Sequence, residues 1–207
     1  MLNKERVIVY IDGFNLYFGL MEAGFSYCRW LNVKALAQNL IKKNQELIEV
    51  KYFTARVSNN PDKQKRQALY LEALFEADVK IYYGQYQLNN IECRRCGNIW
   101  PDANEKMTDV NIATHLLVDA YQDKYDMAML ISGDSDLVPP IKAVHENFPS
   151  KRVFVAFPPK RHNNTVAAVA KGSMIVGRKK LVESQLPSSI EKASDGFILK
   201  RPTEWDS

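Results

Sequence analysis

Two short stretches carry carboxylates at places where carboxylates are costly. Residues 9–15 read VYIDGFN, and residues 129–136 read MLISGDSD. In each, an apolar β-branched run stops at a turn that holds aspartate: Asp12 in the first, Asp134 and Asp136 in the second. An aspartate next to a buried strand must be solvated, paired or bound to a cation. Asp109 stands at the start of another apolar-periodic segment, TDVNIATHLLVDAYQ. A helix N-terminus favours aspartate by itself, so this residue says little alone. Four carboxylates drawn together would repel one another and hold protons. A divalent cation removes that conflict, and Mg²⁺ takes few carboxylates along with waters and phosphate oxygens. The alternative is that each turn is only a turn, with Asn15, Ser135 or Asp136 as helix caps. Because Asp12 and Asp134/Asp136 both follow buried strands, the joint pattern points to a metal site. An EF-hand is excluded, since Asp134 and Asp136 lack the glycine and the closing glutamate of that loop.

The surrounding pattern supplies a frame for such a site. Strands are expected at 6–11, 47–57, 79–88, 126–132 and 151–157, with a short one at SMIVG. Helices are expected at GFNLYFGLMEAG, at LNVKALAQNLIKK behind an Asn32 cap, and at the segment led by Pro61. Others follow at 108–122 with Thr108 as cap, at SDLVPPIKAVHEN, and from about Thr165. Strands that alternate with helices make βαβ units and hence a mainly parallel sheet of five or six strands covered on both faces. In such a sheet the ligand crevice lies beyond the strand C-termini, where Asp12, Asp134 and Asp136 fall.

Composition bounds the partners. The 207 residues are 46% hydrophobic and 25% charged, an ordinary globular mixture. No apolar run reaches the ~18 residues that cross a bilayer, and no signal peptide opens the chain, so a soluble cytoplasmic protein is expected. Residues 150–207 hold 11 Lys+Arg against 5 Asp+Glu, whereas the rest of the chain is slightly acidic; the whole carries +4. A basic region beside an acidic site suits a polyanion held next to a bound cation.

The motifs taken together resemble the NYN family of PIN-like ribonucleases. The resemblance rests on VYIDGFNLYFGL, on EKMTDVNIATHLLVDAYQDKYDMAMLISGDSDLVPPI and on KRVFVAFPP, and it covers roughly residues 5 to 182. It implies an α/β fold, the PIN-like three-layer α/β/α sandwich with a mainly parallel central sheet. It implies that Asp12, Asp109, Asp134 and Asp136 hold Mg²⁺ or Mn²⁺ for hydrolysis of RNA phosphodiesters. By the same resemblance Asn15 and Ser132 are polar supports of the catalytic site, and Lys106 falls where it can touch a phosphate. The domain is then 1–182, followed by a tail at 183–207 that packs on it or extends from it.

Further candidates come from the residues themselves. ECRRCGN lies in an aperiodic insertion at about 89–105 and is the kind of CxxCG turn that supplies half of a zinc site. Cys93 and Cys96 are therefore either a reduced pair in a loop or ligands to a zinc shared across a homodimer; Arg94 and Arg95 would otherwise contact phosphates. Lys106, Lys160, Arg161, Arg178, Lys179 and Lys180 are candidates to grip an RNA backbone. Tyr17 and Phe18 suit base stacking, although aromatics beside a strand are more often core.

Two functional classes follow: a metal-dependent endoribonuclease, and a non-catalytic RNA-binding or regulatory module that keeps the fold. The four aspartates favour the first, because binding a polyanion needs no acidic cluster. A haloacid-type phosphatase is disfavoured, since DGFNL stands where DxDxT would be, and no dinucleotide glycine fingerprint follows the strand.

Overall fold

The computed structural model describes residues 4–57, 60–92, 96–97 and 99–205, with side chains left aside for 85–92 and 99–106. In chain order the elements are β1 (Glu5–Asp12), α1 (Gly13–Glu22), α2 (Val33–Leu40), β2 (Gln45–Thr54), α3 (Pro61–Glu76) and β3 (Lys80–Tyr83). After these come β4 (Gln85–Glu92), β5 (Ile99–Lys106), α4 (Thr108–Tyr121), β6 (Met127–Ile131), α5 (Val138–Asn147) and β7 (Arg152–Phe157). The chain continues through α6 (Asn164–Val169), β8 (Ser173–Ile175), α7 (Arg178–Glu183), β9 (Ser189–Glu191) and β10 (Ile198–Lys200).

Six strands form one sheet in the order β3-β2-β1-β6-β7-β8, and every pairing in it is parallel. The chain runs outward from β1 to β3, then returns to lay β6 against the other side of β1. Strand order therefore reverses between β1 and β6. That is where a crevice opens beyond the C-terminal ends of a parallel sheet.

Strand β1 shows why both faces are covered. Val7, Val9 and Ile11 point to one side, where they pack with Leu16 and Leu20 of α1, Leu36 of α2 and Leu74 of α3. Ile8 and Tyr10 point to the other, against Ile112 and Leu116 of α4, Ile141 of α5 and Val166 of α6. This is the continuous apolar run that a strand buried on both faces requires. Leu186, Leu199 and Trp205 bury into the α1–α3 side, with Trp205 6.0 Å from Trp30 between ring centres.

Several expectations are revised. The strand expected at 79–88 is divided: β3 ends at Tyr83, and Gly84 donates its N–H to Thr54 O at 2.7 Å. The aperiodic insertion belongs to an antiparallel hairpin in which β4, Gln85–Glu92, pairs with β5, Ile99–Lys106. Its backbone pairs at polar, Pro-containing positions that leave no period-2 signal. Thr108 is the first helical residue rather than the cap; the cap position is Met107, in left-handed conformation at φ 79° without a side-chain cap bond. The helix expected at 135–147 begins as a 3₁₀ turn, Ser135–Leu137, before α5. The tail adds the small hairpin β9–β10.

Candidate metal centre

Side-chain alternation places the first two polar residues. Asp12 has the same parity as Ile8 and Tyr10, so its carboxylate faces the α4 side of β1. Ser132 follows β6 and has the parity of Ala128 and Leu130, which face the same side. The β1–β6 register pairs Ile11 with Ile131, so the next residues, Asp12 and Ser132, lie side by side. Ser132 Oγ donates to Asp12 Oδ2 at 3.0 Å, and both residues are buried. Helix α4 runs antiparallel to β6 and brings its N-terminus to this end of the sheet. Asp109 in its first turn completes the group. Carboxylate oxygens of Asp12, Asp109 and Asp134 all lie within 4.8 Å of one another.

The turns are capped as well as catalytic in layout, but by other residues than expected. Asp12 caps α1 by accepting the Asn15 N–H at 3.0 Å on Oδ1. Asp134 caps the 3₁₀ turn by accepting the Asp136 N–H at 2.9 Å on Oδ1. Ser132 Oγ also accepts the Asp134 N–H at 3.1 Å. Each aspartate is thus oriented by backbone N–H donors, and each keeps acceptor capacity towards the group. Asn15 does not cap; its Oδ1 accepts the Gly133 N–H at 3.0 Å and ties the two acidic turns together.

Electrostatics agrees with the crowding. Burial and the neighbouring charges of Asp12, Asp134 and Asp136 push Asp109 up to about 6. Burial raises Asp12 against the opposing hydrogen bonds from Asn15 and Ser132. Two carboxylic acids held above their ordinary range by burial and by neighbouring carboxylates are what a divalent cation would discharge. The Thr108 hydroxyl, buried beside Asp109, has no partner among the described residues. The donor set is all oxygen, which suits Mg²⁺ or Mn²⁺.

Not every expected residue joins. Asp136 is exposed and stands outside the three-carboxylate group, although its charge reaches Asp109. Lys160 and Arg161 lie on the loop after β7, which reaches the Gly133 turn and the middle of α1. A Cβ on Gly133 would come within 1.8 Å of Arg161 O, and one on Gly19 of α1 within 2.7 Å of Pro159 O. Arg178 instead bonds Tyr27 Oη at 2.7 Å, Lys180 bonds Asn39 O at 2.7 Å, and Lys179 approaches Glu183 at 3.8 Å. These three engage local partners around α7. Cys93, Arg94 and Arg95 lie outside the described residues; Cys96 is exposed and belongs to no group of metal-ligating side chains among the described residues. Lys106 ends β5, two residues before α4. The sequence reading missed Asn163, whose Nδ2 donates to Gly133 O at 3.1 Å while its Oδ1 caps α6. An Asn before an apolar helix was the available signal.

A parallel sheet with helices on both faces and an acidic trio at its switch point defines a PIN-like α/β/α domain. The family model of the NYN domain matches residues 6–175, and the chain belongs to that family. A Pseudomonas putida protein named 6-hydroxy-3-succinoylpyridine 3-monooxygenase HspA is 27% identical over 175 residues, 67% of this chain and 55% of that protein. The chain therefore spans about half the length of that relative. A crystal structure of a Vibrio parahaemolyticus protein of unknown function superposes with a TM-score of 0.57 at 19% identity, covering 90% of this chain and 99% of that one. That likeness supports the fold. No helix among the described residues is long and apolar enough to cross a membrane.

Proposed function

We propose that this chain is a metal-dependent endoribonuclease whose catalytic centre is built on Asp12, Asp109 and Asp134. The observation that carries the reading is the convergence of these three carboxylates, within 4.8 Å, at the switch point of an NYN domain. Asp12, Asp109 and Asp134 would hold Mg²⁺ or Mn²⁺, with Asp136 reached through water. When bound, the cation supplies an activated water and neutralises charge on the phosphate oxygens. The chain's own residues do the positioning. Ser132 and Asn15 fix the Asp12 carboxylate and join the turns after β1 and β6. The loop carrying Lys160 and Arg161 lies against Gly133 through the Arg161 carbonyl, which makes its two cations candidates to steer an RNA phosphate. Lys106, close before Asp109 in sequence, is a further candidate. Hydrolysis of this kind leaves a 5′-phosphate and a 3′-hydroxyl.

The test is incubation of the purified chain with end-labelled single-stranded RNA in Mg²⁺, Mn²⁺ or EDTA, with Asp12→Asn as control. Cleavage that needs a divalent cation and is lost in Asp12→Asn supports the reading; cleavage undiminished by EDTA or by Asp12→Asn overturns it. Binding of RNA without any cleavage would favour the regulatory module. A second reading comes from HspA's name together with an aromatic-walled cavity next to Asp12: chemistry on a small heteroaromatic acid. Oxygen uptake upon addition of 6-hydroxy-3-succinoylpyridine and an electron donor would favour it.

A further inference from the structure

Helix α1 is apolar on two sides. Leu16 and Leu20 face the core, as an ordinary amphipathic helix requires. Phe14, Tyr17, Phe18 and Met21 follow the same i, i+3, i+4, i+7 spacing on the outer side. Tyr17 is 39% exposed and Phe18 49%. Their rings meet edge-on at 5.4 Å, and Phe14 stacks on Phe18 at 6.3 Å. Two neighbouring aromatic rings are thus held in a fixed arrangement and turned to solvent, on the helix that begins immediately after Asp12.

These rings border a cavity of about 370 Å³ between α1 and α3, within the size range of small-ligand sites. Its wall includes Tyr52 and Thr54 from the end of β2, and Lys63 and Arg66 from the first turns of α3. Gly13 forms the wall nearest the metal turn. A Cβ there would sit 2.6 Å from the Tyr52 ring and 2.8 Å from Phe53 O. The absence of a side chain at residue 13 therefore lets the Tyr52 ring lie directly on the backbone that carries Asp12. The cavity and the acidic group flank the end of β1 from its two faces.

The rim is cationic. Lys63 is exposed and has no ion pair among the described residues. Arg66 is paired with Glu204 at 3.0 Å. On the far side of Phe18, the Arg161 guanidinium lies 6.0 Å from the ring centre and is held by Glu22. Thr54 Oγ1 makes two long contacts, donating to Ala55 O at 3.4 Å and accepting from Gln67 Nε2 at 3.5 Å, which a ligand edge can replace.

Resting on the ribonuclease reading, we infer that this cavity is a base-binding subsite: it takes the unstacked base of a single-stranded RNA next to the scissile bond, packed against the exposed rings of Tyr17 and Phe18. The charge and the chemistry both select that occupant. Aromatic rings accept any base face, which gives affinity without sequence demand. Lys63 and Arg161 lie on either side of the rings, where the phosphates flanking a stacked base must pass. The metal turn at Gly13 places the phosphodiester of that nucleotide towards Asp12. A base already paired in a duplex cannot enter, so the subsite selects single strands.

The probe is a short fluorescein-labelled single-stranded oligouridine, titrated with the full chain in EDTA so that nothing is cut, and read by anisotropy. Tyr17→Leu and Phe18→Leu keep an apolar surface and remove the ring. Each is expected to weaken binding about fivefold or more, with an unchanged melting temperature and an unchanged salt slope. Tyr17→Phe restores the affinity. Lys63→Gln weakens binding and lowers the salt slope by roughly one phosphate contact. Affinity for a blunt RNA duplex stays the same in the Leu variants. The inference is overturned if the wild type fails to bind the oligonucleotide, or if the Leu variants bind like the wild type. It is equally overturned if those variants change only the oligomeric state on size exclusion, which would make the face a protein contact. Wild-type binding that depends on Tyr17 without any cleavage sinks the nuclease reading and leaves the subsite standing; metal-dependent cleavage by Leu variants of full affinity does the reverse.

Discussion

Asn15 Oδ1 accepts the backbone N–H of Gly133 at 3.0 Å, across 118 residues of sequence. One amide side chain on the first turn of α1 thereby sets the position of the loop that carries Asp134, while its own N–H sets Asp12. The distance between the two acidic turns depends on a residue outside the carboxylate trio.

Replacing that amide tests the positioning. Asn15→Ala leaves the Gly133 N–H without its partner, a loss of about 1 kcal/mol in stability. RNA cleavage should fall much further, tenfold or more, because small misplacement of reacting groups is amplified in rate. The expected signature is a lower kcat with KM nearly unchanged, measured on a labelled oligonucleotide in saturating Mn²⁺. Equal activity in Asn15→Ala would remove the residue from the catalytic layout.

Charge removal within the trio should separate stability from activity. Asp109→Asn keeps the shape and deletes one of three mutually repelling carboxylates. The metal-free variant should melt higher than the wild type, by a few degrees for a domain of this size. Mg²⁺ or Mn²⁺ should raise the wild-type melting temperature by preferential binding to the folded state, and this increment should vanish in Asp109→Asn. Differential scanning calorimetry with and without the cation reads both effects; a variant that melts lower than wild type in EDTA contradicts the repulsion argument.

The same group predicts a pH dependence with a definite sign. Asp109 is raised from its ordinary 3.8 to about 6 in the folded protein. Between those values the folded chain holds a proton that the unfolded chain has lost. Stability from this source is fully present below about 3.8 and is lost as pH rises through about 6. Two pH steps at ~1.4 kcal/mol each, discounted for the half-exposed setting, leave on the order of 1–2 kcal/mol. Metal affinity runs the other way, rising through pH 6 as the ligand deprotonates. Denaturant titrations in EDTA at pH 4.5 and 7, compared with Asp109→Asn, check the first claim, and calorimetric Mn²⁺ titration checks the second.

What could be read from the sequence divides along physical lines. The parallel sheet was legible because VIVYI and MAMLI are buried on both faces, and such strands announce themselves without partners. Asp12 and Asp134 were legible because a carboxylate at the end of such a strand is anomalous. Asp136 shared their pattern but not their burial; a residue count does not reveal which way a 3₁₀ turn points its side chains. The β4–β5 pairing starts earlier than the insertion at 89–105 suggested, because its strands lack the period-2 apolarity that marks a strand boundary. Arg178, Lys179 and Lys180 were legible as a run of charge, but not the bonds of Arg178 to Tyr27 and of Lys180 to Asn39. Such contacts depend on tertiary neighbours that spacing does not encode. Tyr17 and Phe18 have helical spacing compatible with core, and only the fold reveals that Leu16 and Leu20 already occupy the inner side.

A second ionic cluster provides the control for all of these experiments. Lys51 of β2 is buried and paired with Asp119 of α4, which also accepts Tyr10 Oη at 2.7 Å and Lys124 Nζ at 3.1 Å. Asp119 lies ten residues further along α4 than Asp109, near the opposite end of the helix. Burial opposes its charge, but Lys51, Tyr10 and Lys124 prevail and hold its carboxyl below the ordinary range. Here the sign reverses: this stability is present above about pH 4 and is lost as pH falls through the lowered value. Lys51→Met removes one partner and leaves a buried carboxylate short of its countercharge, so stability should drop by about 3 kcal/mol or more. The Mn²⁺ affinity and the cleavage rate per folded molecule should stay at wild-type levels below the melting transition, because the acidic trio keeps Ser132 and Asn15. Urea unfolding and Mn²⁺ titration on the same variant give the two numbers. A lost Mn²⁺ response in folded Lys51→Met would show that the two ends of α4 are coupled, and would refute the independence on which the Asp109 predictions rest.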